Sequence, residues 1–132
     1  MTKYKSQGFT NTFKNARKGF RLVLKSERNL RIHLVIGALV MAAAILLQFD
    51  VIKICILLFT ITLVIVTEMV NTAIEFTLDS YYHNKFNKMV GMAKDISAGA
   101  VMFSTIISLI IGGLLFSQAV IEILAGLFGT LS

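Results

Sequence analysis

The sequence predicts an all-α integral membrane protein, with an N-terminal amphipathic surface helix followed by three transmembrane helices in a single domain over residues 1–132. Three observations predict it. The chain of 132 residues is 56% hydrophobic with a mean hydropathy of +0.79, too apolar for a water-soluble domain. Nine of its 13 Lys and Arg lie in residues 1–31, ahead of the first long apolar run. Three apolar stretches approach the ~20 helical residues that cross a bilayer core.

Taken in order, residues 1–8 form a polar terminus. From 9 to 28 the pattern is helical: Phe9, Phe13, Ala16, Phe20, Val23 and Leu24 share one arc, and Lys14, Lys18, Arg21 and Lys25 form the opposite stripe. Aromatic residues below and cations above describe a helix in the headgroup plane. The first span is expected over 32–49, with Gly37 and Ala42-Ala43-Ala44 allowing close helix contact. Gln48-Phe49-Asp50 then leaves room only for a tight antiparallel turn. The second span starts at residue 51 and runs to 80 or to about Tyr82, longer than a bilayer needs, so its last third reaches the headgroups. Residues 80–92 read as a polar, basic loop, and the third span as 93–116. The apolar tail 117–132 either extends that helix or lies on the outer surface.

The basic balance, net +6, flanks apolar spans. It therefore reads as a positive-inside signal and an attraction to anionic lipid, not as a nucleic-acid surface. This places the N-terminus and the 80–92 loop in the cytoplasm, in a multi-pass cell-membrane protein. The polar start is too long for the charged region of a cleaved signal peptide. Cys55, the one cysteine, lies in an apolar run and reads as a small buried hydrophobe. His33 and His83 are isolated in sequence, so neither reads as a zinc ligand.

Chemistry concentrates in Glu68-Met69-Val70-Asn71-Thr72-Ala73-Ile74-Glu75-Phe76-Thr77-Leu78-Asp79. At 100° per residue, Glu68, Asn71, Glu75 and Asp79 fall at roughly 0°, 300°, 340° and 20°, one narrow helix face. Three carboxylates in a column repel one another and resist desolvation, so cations must sit against them. Those cations are either basic side chains, in an interhelical salt-bridge ladder, or metal ions in a site. The topology brings Glu27, Arg28, Asn29, Lys94 and Asp95 to the same cytoplasmic level. Water-facing carboxylates such as Glu27 and Glu75 suit Mg²⁺, which keeps waters and binds phosphate oxygens. Glu68 is deeper and suits a general base toward an alcohol. Lys94 could neutralise a transferring phosphoryl group. Together these permit phosphoryl transfer from a nucleotide to a lipid alcohol. A carboxylate site in a small cation transporter and a structural subunit binding a partner helix stay open on the residues alone. No GxxxxGK[ST], GxGxxG, HRD or DFG signature occurs.

The pattern Glu68-x-x-Asn71-x-Ala73-Ile74-Glu75-x-x-x-Asp79, with the later Ala93-Lys94-Asp95-x-x-Ala98-x-Ala100-Val101, closely resembles the small prokaryotic diacylglycerol kinases. The resemblance covers about residues 9–118 and looks more like the Gram-positive undecaprenol kinase branch. It implies a homotrimeric membrane kinase using Mg²⁺ and ATP, with sites shared between neighbouring subunits. On matching positions it implies Glu68 as the catalytic base and Glu27 and Glu75 as metal ligands. It also implies Asn15, Glu27, Asn71, Glu75, Asp79, Lys85, Phe86, Asn87, Lys94 and Asp95 as nucleotide contacts, and Glu68 and Ala98 as lipid-substrate contacts. The implied substrate is a membrane lipid alcohol, undecaprenol first and diacylglycerol as the alternative. The chain departs from the Gram-negative pattern in three places: a loop one residue longer, Lys85 in place of an acidic residue, and His33 in place of a second carboxylate.

Overall fold

The computed structural model describes residues 8–83 and 87–129, with side chains described as far as Gly126. The terminus before Gly8, and Lys85 and Phe86 of the polar loop, lie outside the described residues. Among the described residues four helices follow one another: α1 (Phe9–Ser26), α2 (Arg28–Leu46), α3 (Val51–Tyr82) and α4 (Lys88–Gly129). Three of them, α2, α3 and α4, are long and apolar enough to cross a membrane. The protein is an all-helical membrane protein.

The first boundary lies closer than the hydropathy pattern suggests, because α1 and α2 are separated only by Glu27, in an extended conformation (φ −102°, ψ 115°). A helix end leaves carbonyls without intrahelical partners. Here Arg31, one turn into α2, supplies them: its Nη1 donates to Leu24 O (2.8 Å) and Lys25 O (3.1 Å). The apolar span expected from residue 32 is thus preceded by a polar first turn that belongs to the same helix. Helix α1 lies against α2 and α3 with no residue buried, and Phe9 and Phe13 remain exposed, as an aromatic face meant for lipid would be.

The turn from α2 to α3 takes Leu47–Asp50, because α2 stops at Leu46 and not at Phe49. Gln48 adopts the left-handed conformation (φ 54°). Asp50 caps α3, its Oδ1 accepting from Lys53 N at 3.0 Å. Phe49 leaves the helix to pack on Phe116 of α4, ring centroids 4.9 Å apart. Helix α3 then runs unbroken for 32 residues, about 48 Å at 1.5 Å per residue.

The third span starts earlier than expected, and at its far end the first of the two readings of the tail holds. Asn87 starts it: its Oδ1 accepts from Met89 N (2.9 Å) and its carbonyl from Gly91 N (3.0 Å). Most of the stretch expected as a loop over 80–92 is therefore helical, belonging to α3 as far as Tyr82 and to α4 from Lys88. At the other end the tail continues the helix to Gly129. Gly112-Gly113 does not break it; the chain holds no Pro, and backbone groups in an apolar medium are satisfied only by continuing the helix.

Packing follows membrane rules. Five hydrophobic residues are buried in the described chain (Leu30, Ala44, Leu57, Val64, Ala119), against five polar ones (Thr60, Glu68, Thr72, Ser97, Ser104). Lipid is as apolar as leucine, so helices associate through small and hydrogen-bonding residues. Antiparallel α3 and α4 are joined by Ser108 Oγ donating to Thr60 O (3.2 Å), Thr67 with Ser104 (2.9 Å) and Ser97 with Asn71 (2.6 Å). Gly37 lets α2 approach α3: a Cβ there would lie 2.7 Å from Ile61 Cγ2. Cys55 is exposed, which corrects its reading as a buried residue. A thiol at bilayer depth can face lipid as readily as a core.

Candidate active site

The carboxylate column lies on the side of α3 turned to α2 and α4. Glu68 is 3% exposed, whereas Asn71, Glu75 and Asp79 are half-buried. Glu27, Glu75 and His33 lie close enough to Glu68 to act on its charge. Three places in the chain supply this cluster: the α1–α2 break, the second turn of α2, and two turns of α3. Glu27 occupies the cap position of α2, but its side chain makes no capping hydrogen bond. Its carboxylate is thus placed by the backbone break and is not committed to holding the helix.

A second layer fixes the polar groups above Glu68. Asn71 Nδ2 donates to Glu75 Oε1 at 3.1 Å, and Ser97 Oγ donates to Asn71 Oδ1 at 2.6 Å. Lys94 Nζ pairs with Asp79 Oδ1, both side chains part-exposed. Thr72 Oγ1 donates back to Glu68 O at 3.0 Å, so this buried hydroxyl is satisfied within its own helix.

Asp79 with Lys94 is the one interhelical rung that resembles a salt-bridge ladder; the other ion pair among the described residues is Lys53 with Asp50. Neither Glu68 nor Glu75 pairs with a Lys or Arg among the described residues; the basic group near Glu68 is His33. A ladder would neutralise the deepest carboxylate first, because it is the costliest to leave unpaired. Here the interhelical lysine pair sits at Asp79, the outer end of the column, and the deepest carboxylate has only His33 nearby, which favours a site over a strut.

No group of three His, Cys, Asp or Glu side chains is assembled as a metal cage among the described residues. The donor set still fits a hard cation that takes most of its ligands from elsewhere: Glu27 and Glu75 are both half-buried and offer oxygen only. Mg²⁺ is held in this manner, by one or two carboxylates with water and phosphate oxygens completing its octahedron.

Of the other residues singled out in the sequence, Asn87 caps α4. Asn15, Asp95 and Ala98 are exposed on the chain's surface, and Lys85 and Phe86 are outside the described residues. Sequence reasoning missed two participants. Ser97 was read only as a small residue, although it follows Lys94 by three and so shares its helix face. His33 was read as isolated, and only the packing of α2 on α3 brings it toward Glu68.

Beside this cluster a groove of about 360 Å³ runs between α2, α3 and α4, lined by residues from His33 to Phe116; the carboxylates themselves do not line it, and Val64 in its wall precedes Glu68 by one helical turn. Gly37, Gly112 and Gly113 widen it, and Leu57, Ile61 and Val64 make its wall apolar.

Fold and site together define a small helical membrane protein with an acidic cluster and, beside it, a largely apolar groove between its helices. The family profile of prokaryotic diacylglycerol kinases matches residues 14–116. The chain is 33% identical over 113 residues to a diacylglycerol kinase of Synechocystis sp., covering 86% of this chain and 65% of that protein. It is also 33% identical over 108 residues to the undecaprenol kinase of Bacillus subtilis, covering 82% of this chain and 87% of that protein. The matched segment thus spans less than two thirds of the Synechocystis relative. The chain belongs to the prokaryotic diacylglycerol kinase family, a family of lipid kinases.

Proposed function

We propose that the protein transfers the γ-phosphoryl group of ATP to the hydroxyl of a membrane lipid alcohol, with undecaprenol as the substrate and undecaprenyl phosphate as the product. The observation that carries this reading is the buried Glu68 carboxylate, one helical turn beyond Val64 in the wall of an apolar groove and near His33, which also lines it. An alcohol whose hydrocarbon lies in that groove presents its hydroxyl to Glu68. Glu68 takes the proton as the hydroxyl oxygen attacks phosphorus; the bond from phosphorus to the β-phosphate oxygen breaks and ADP leaves. Lys94 compensates charge on the transferring group, and Asp79 holds Lys94 in place. Glu27 and Glu75 would hold Mg²⁺, which when bound neutralises the phosphate oxygens of ATP. Asn15, Asn71, Asp95 and the loop residues Lys85, Phe86 and Asn87 would complete the nucleotide site, with Ala98 beside the lipid.

The groove supports a single-chain alcohol over diacylglycerol, since about 360 Å³ lies near the lower end of small-ligand pockets and suits a segment of one chain. The relative from Bacillus subtilis is named as an undecaprenol kinase, in keeping with that choice. Diacylglycerol is the second reading, favoured by the name of the Synechocystis relative. Asp95 and Ala98 are exposed on one chain and so open to a neighbouring subunit, in keeping with the trimer that the family resemblance implies; the Lys and Arg excess in residues 1–31 favours a cytoplasmic N-terminus and site.

The test is competition between undecaprenol and diacylglycerol for ATP-dependent phosphorylation by the purified protein. Preferential formation of undecaprenyl phosphate supports the reading, and preferential phosphatidate moves the substrate to diacylglycerol. ATP consumption that ignores both alcohols, or cation flux in vesicles without ATP, overturns the kinase reading.

A further inference from the structure

Helix α4 contributes a hydroxyl to the acidic cluster that no sequence motif marks. Ser97 is 8% exposed. Its Oγ lies 2.6 Å from Asn71 Oδ1 and 2.9 Å from Lys94 O. A serine hydroxyl has one proton, so it can serve only one of these two acceptors well. Glu75 decides which. An ionised carboxylate only accepts, so the Asn71 group 3.1 Å from Glu75 Oε1 must be its NH₂. That turns Asn71 Oδ1 toward α4, where two oxygens 2.6 Å apart require a proton between them. Asn71 has none to give from that side, so Ser97 supplies it. The directions along Ser97, Asn71 and Glu75 are thereby fixed from one end to the other.

We propose that Ser97 is a positioning residue for Mg²⁺-dependent nucleotide binding: through Asn71 it holds the Glu75 carboxylate in the orientation that takes the ion. The inference rests on the proposed role of Glu75. Without the hydroxyl, Asn71 Oδ1 loses its donor and the amide can turn over, which sets an oxygen against Glu75 and pushes that carboxylate out of place. Ser97 touches neither the nucleotide nor the lipid in this account. It acts from the next helix, so the packing of α3 on α4 and the geometry of the acidic site are tied together at this point.

The experiment measures binding of a non-hydrolysable ATP analogue as a function of Mg²⁺ concentration, for the wild type, Ser97→Ala and Ser97→Thr. Turnover and thermal unfolding are followed on the same preparations. Ser97→Ala should raise the half-saturating Mg²⁺ concentration about 2- to 12-fold, the equilibrium equivalent of one intramolecular hydrogen bond. Turnover at saturating Mg²⁺ should fall less than that. Ser97→Thr keeps the donor and should stay near the wild-type curve. If Ser97→Ala does not fold, Ser97→Cys, similar in size but a weak donor, takes its place with the same expected shift.

An unshifted Mg²⁺ curve in the variant that lacks the strong donor overturns the proposal, as does a shift of equal size in Ser97→Thr. A fall in thermal stability common to both variants with no change in Mg²⁺ dependence assigns Ser97 to helix packing alone, and also overturns it. Lipid-dependent ATP consumption by the wild type tests the underlying reading separately. An active wild type with an unshifted Ser97→Ala removes only this inference, whereas a wild type that binds no Mg²⁺ and nucleotide removes both.

Discussion

Replacing Glu68 by Gln separates catalysis from scaffolding, because the two roles predict changes of opposite kind. The side chain is 3% exposed, and Gln keeps its size and much of its hydrogen-bonding capacity. The ionisable groups around it are Glu27 and Glu75, both acidic, and His33. Taking the charge away removes two repulsions and at most one attraction. The folded protein should therefore keep its stability or gain some. Turnover should behave differently. Loss of a general base typically costs about 10²–10⁴ in rate, which is about 2.7–5.4 kcal/mol of barrier at 1.36 kcal/mol per decade. Affinity for Mg-ATP should change little, since the nucleotide's ground state does not need the base. If Glu68 were instead the anionic half of a structural pair, breaking that pair would cost about 3–5 kcal/mol of stability. The assay is ATP-dependent phosphorylation of undecaprenol together with thermal unfolding, both in one detergent preparation. Turnover within tenfold of the wild type, or a loss of stability on the scale of a broken buried pair, would refute the reasoning. Asp79 would then be the next candidate for the base.

Three further outcomes follow from the geometry. Glu75→Gln should retain the fold but lose Mg²⁺-dependent nucleotide binding, measured by titrating Mg²⁺ against a bound ATP analogue; an unaltered Mg²⁺ requirement would return Glu75 to a structural role. Gly37→Ala should lower thermal stability by about 1–3 kcal/mol, the usual cost of overpacking, because its Cβ would meet Ile61 Cγ2 at 2.7 Å; adding Ile61→Ala should relieve that clash, and full stability in Gly37→Ala alone would contradict the packing. The Lys53 backbone amide holds the exposed Asp50 carboxyl below its ordinary value near 3.8. Because the folded value is depressed, the cap's contribution is present above about pH 4 and is lost as pH falls through the lowered value. Asp50→Asn should flatten that acid limb in thermal unfolding measured against pH, and an identical limb in the variant would place the acid sensitivity elsewhere.

How much of this could be read from the chain depends on the distance over which each feature is set. Helix existence is local: apolar run lengths, the absence of Pro and the Glu68–Asp79 periodicity determine three spans and one polar face without reference to anything else. The amphipathic start is equally local, since its aromatic and basic stripes are both visible in one turn-by-turn projection. Boundaries are less so. The polar first turn of α2 becomes helical because Arg31 reaches back to the carbonyls of Leu24 and Lys25. Helix α4 starts at Lys88 because Asn87 caps it. A hydropathy pattern registers neither side-chain bond.

The site divides in the same manner. Glu68, Asn71, Glu75 and Asp79 share a face by helical geometry alone, and their family resemblance is carried by that spacing. Which of them has a partner was decided by tertiary structure. Lys94 goes to Asp79 and not to Glu68 or Glu75, because antiparallel packing of α4 on α3 sets Lys94 level with the outer end of the column. His33 comes near Glu68, and Ser97 bonds to Asn71, only through the packing of helices far apart in sequence. Periodicity specifies the direction in which a side chain leaves its own helix. It carries no information about what the neighbouring helix brings to that place, since that depends on the axial register of the packed helices, set here by Gly37 against Ile61 and by the hydroxyl pairs between α3 and α4.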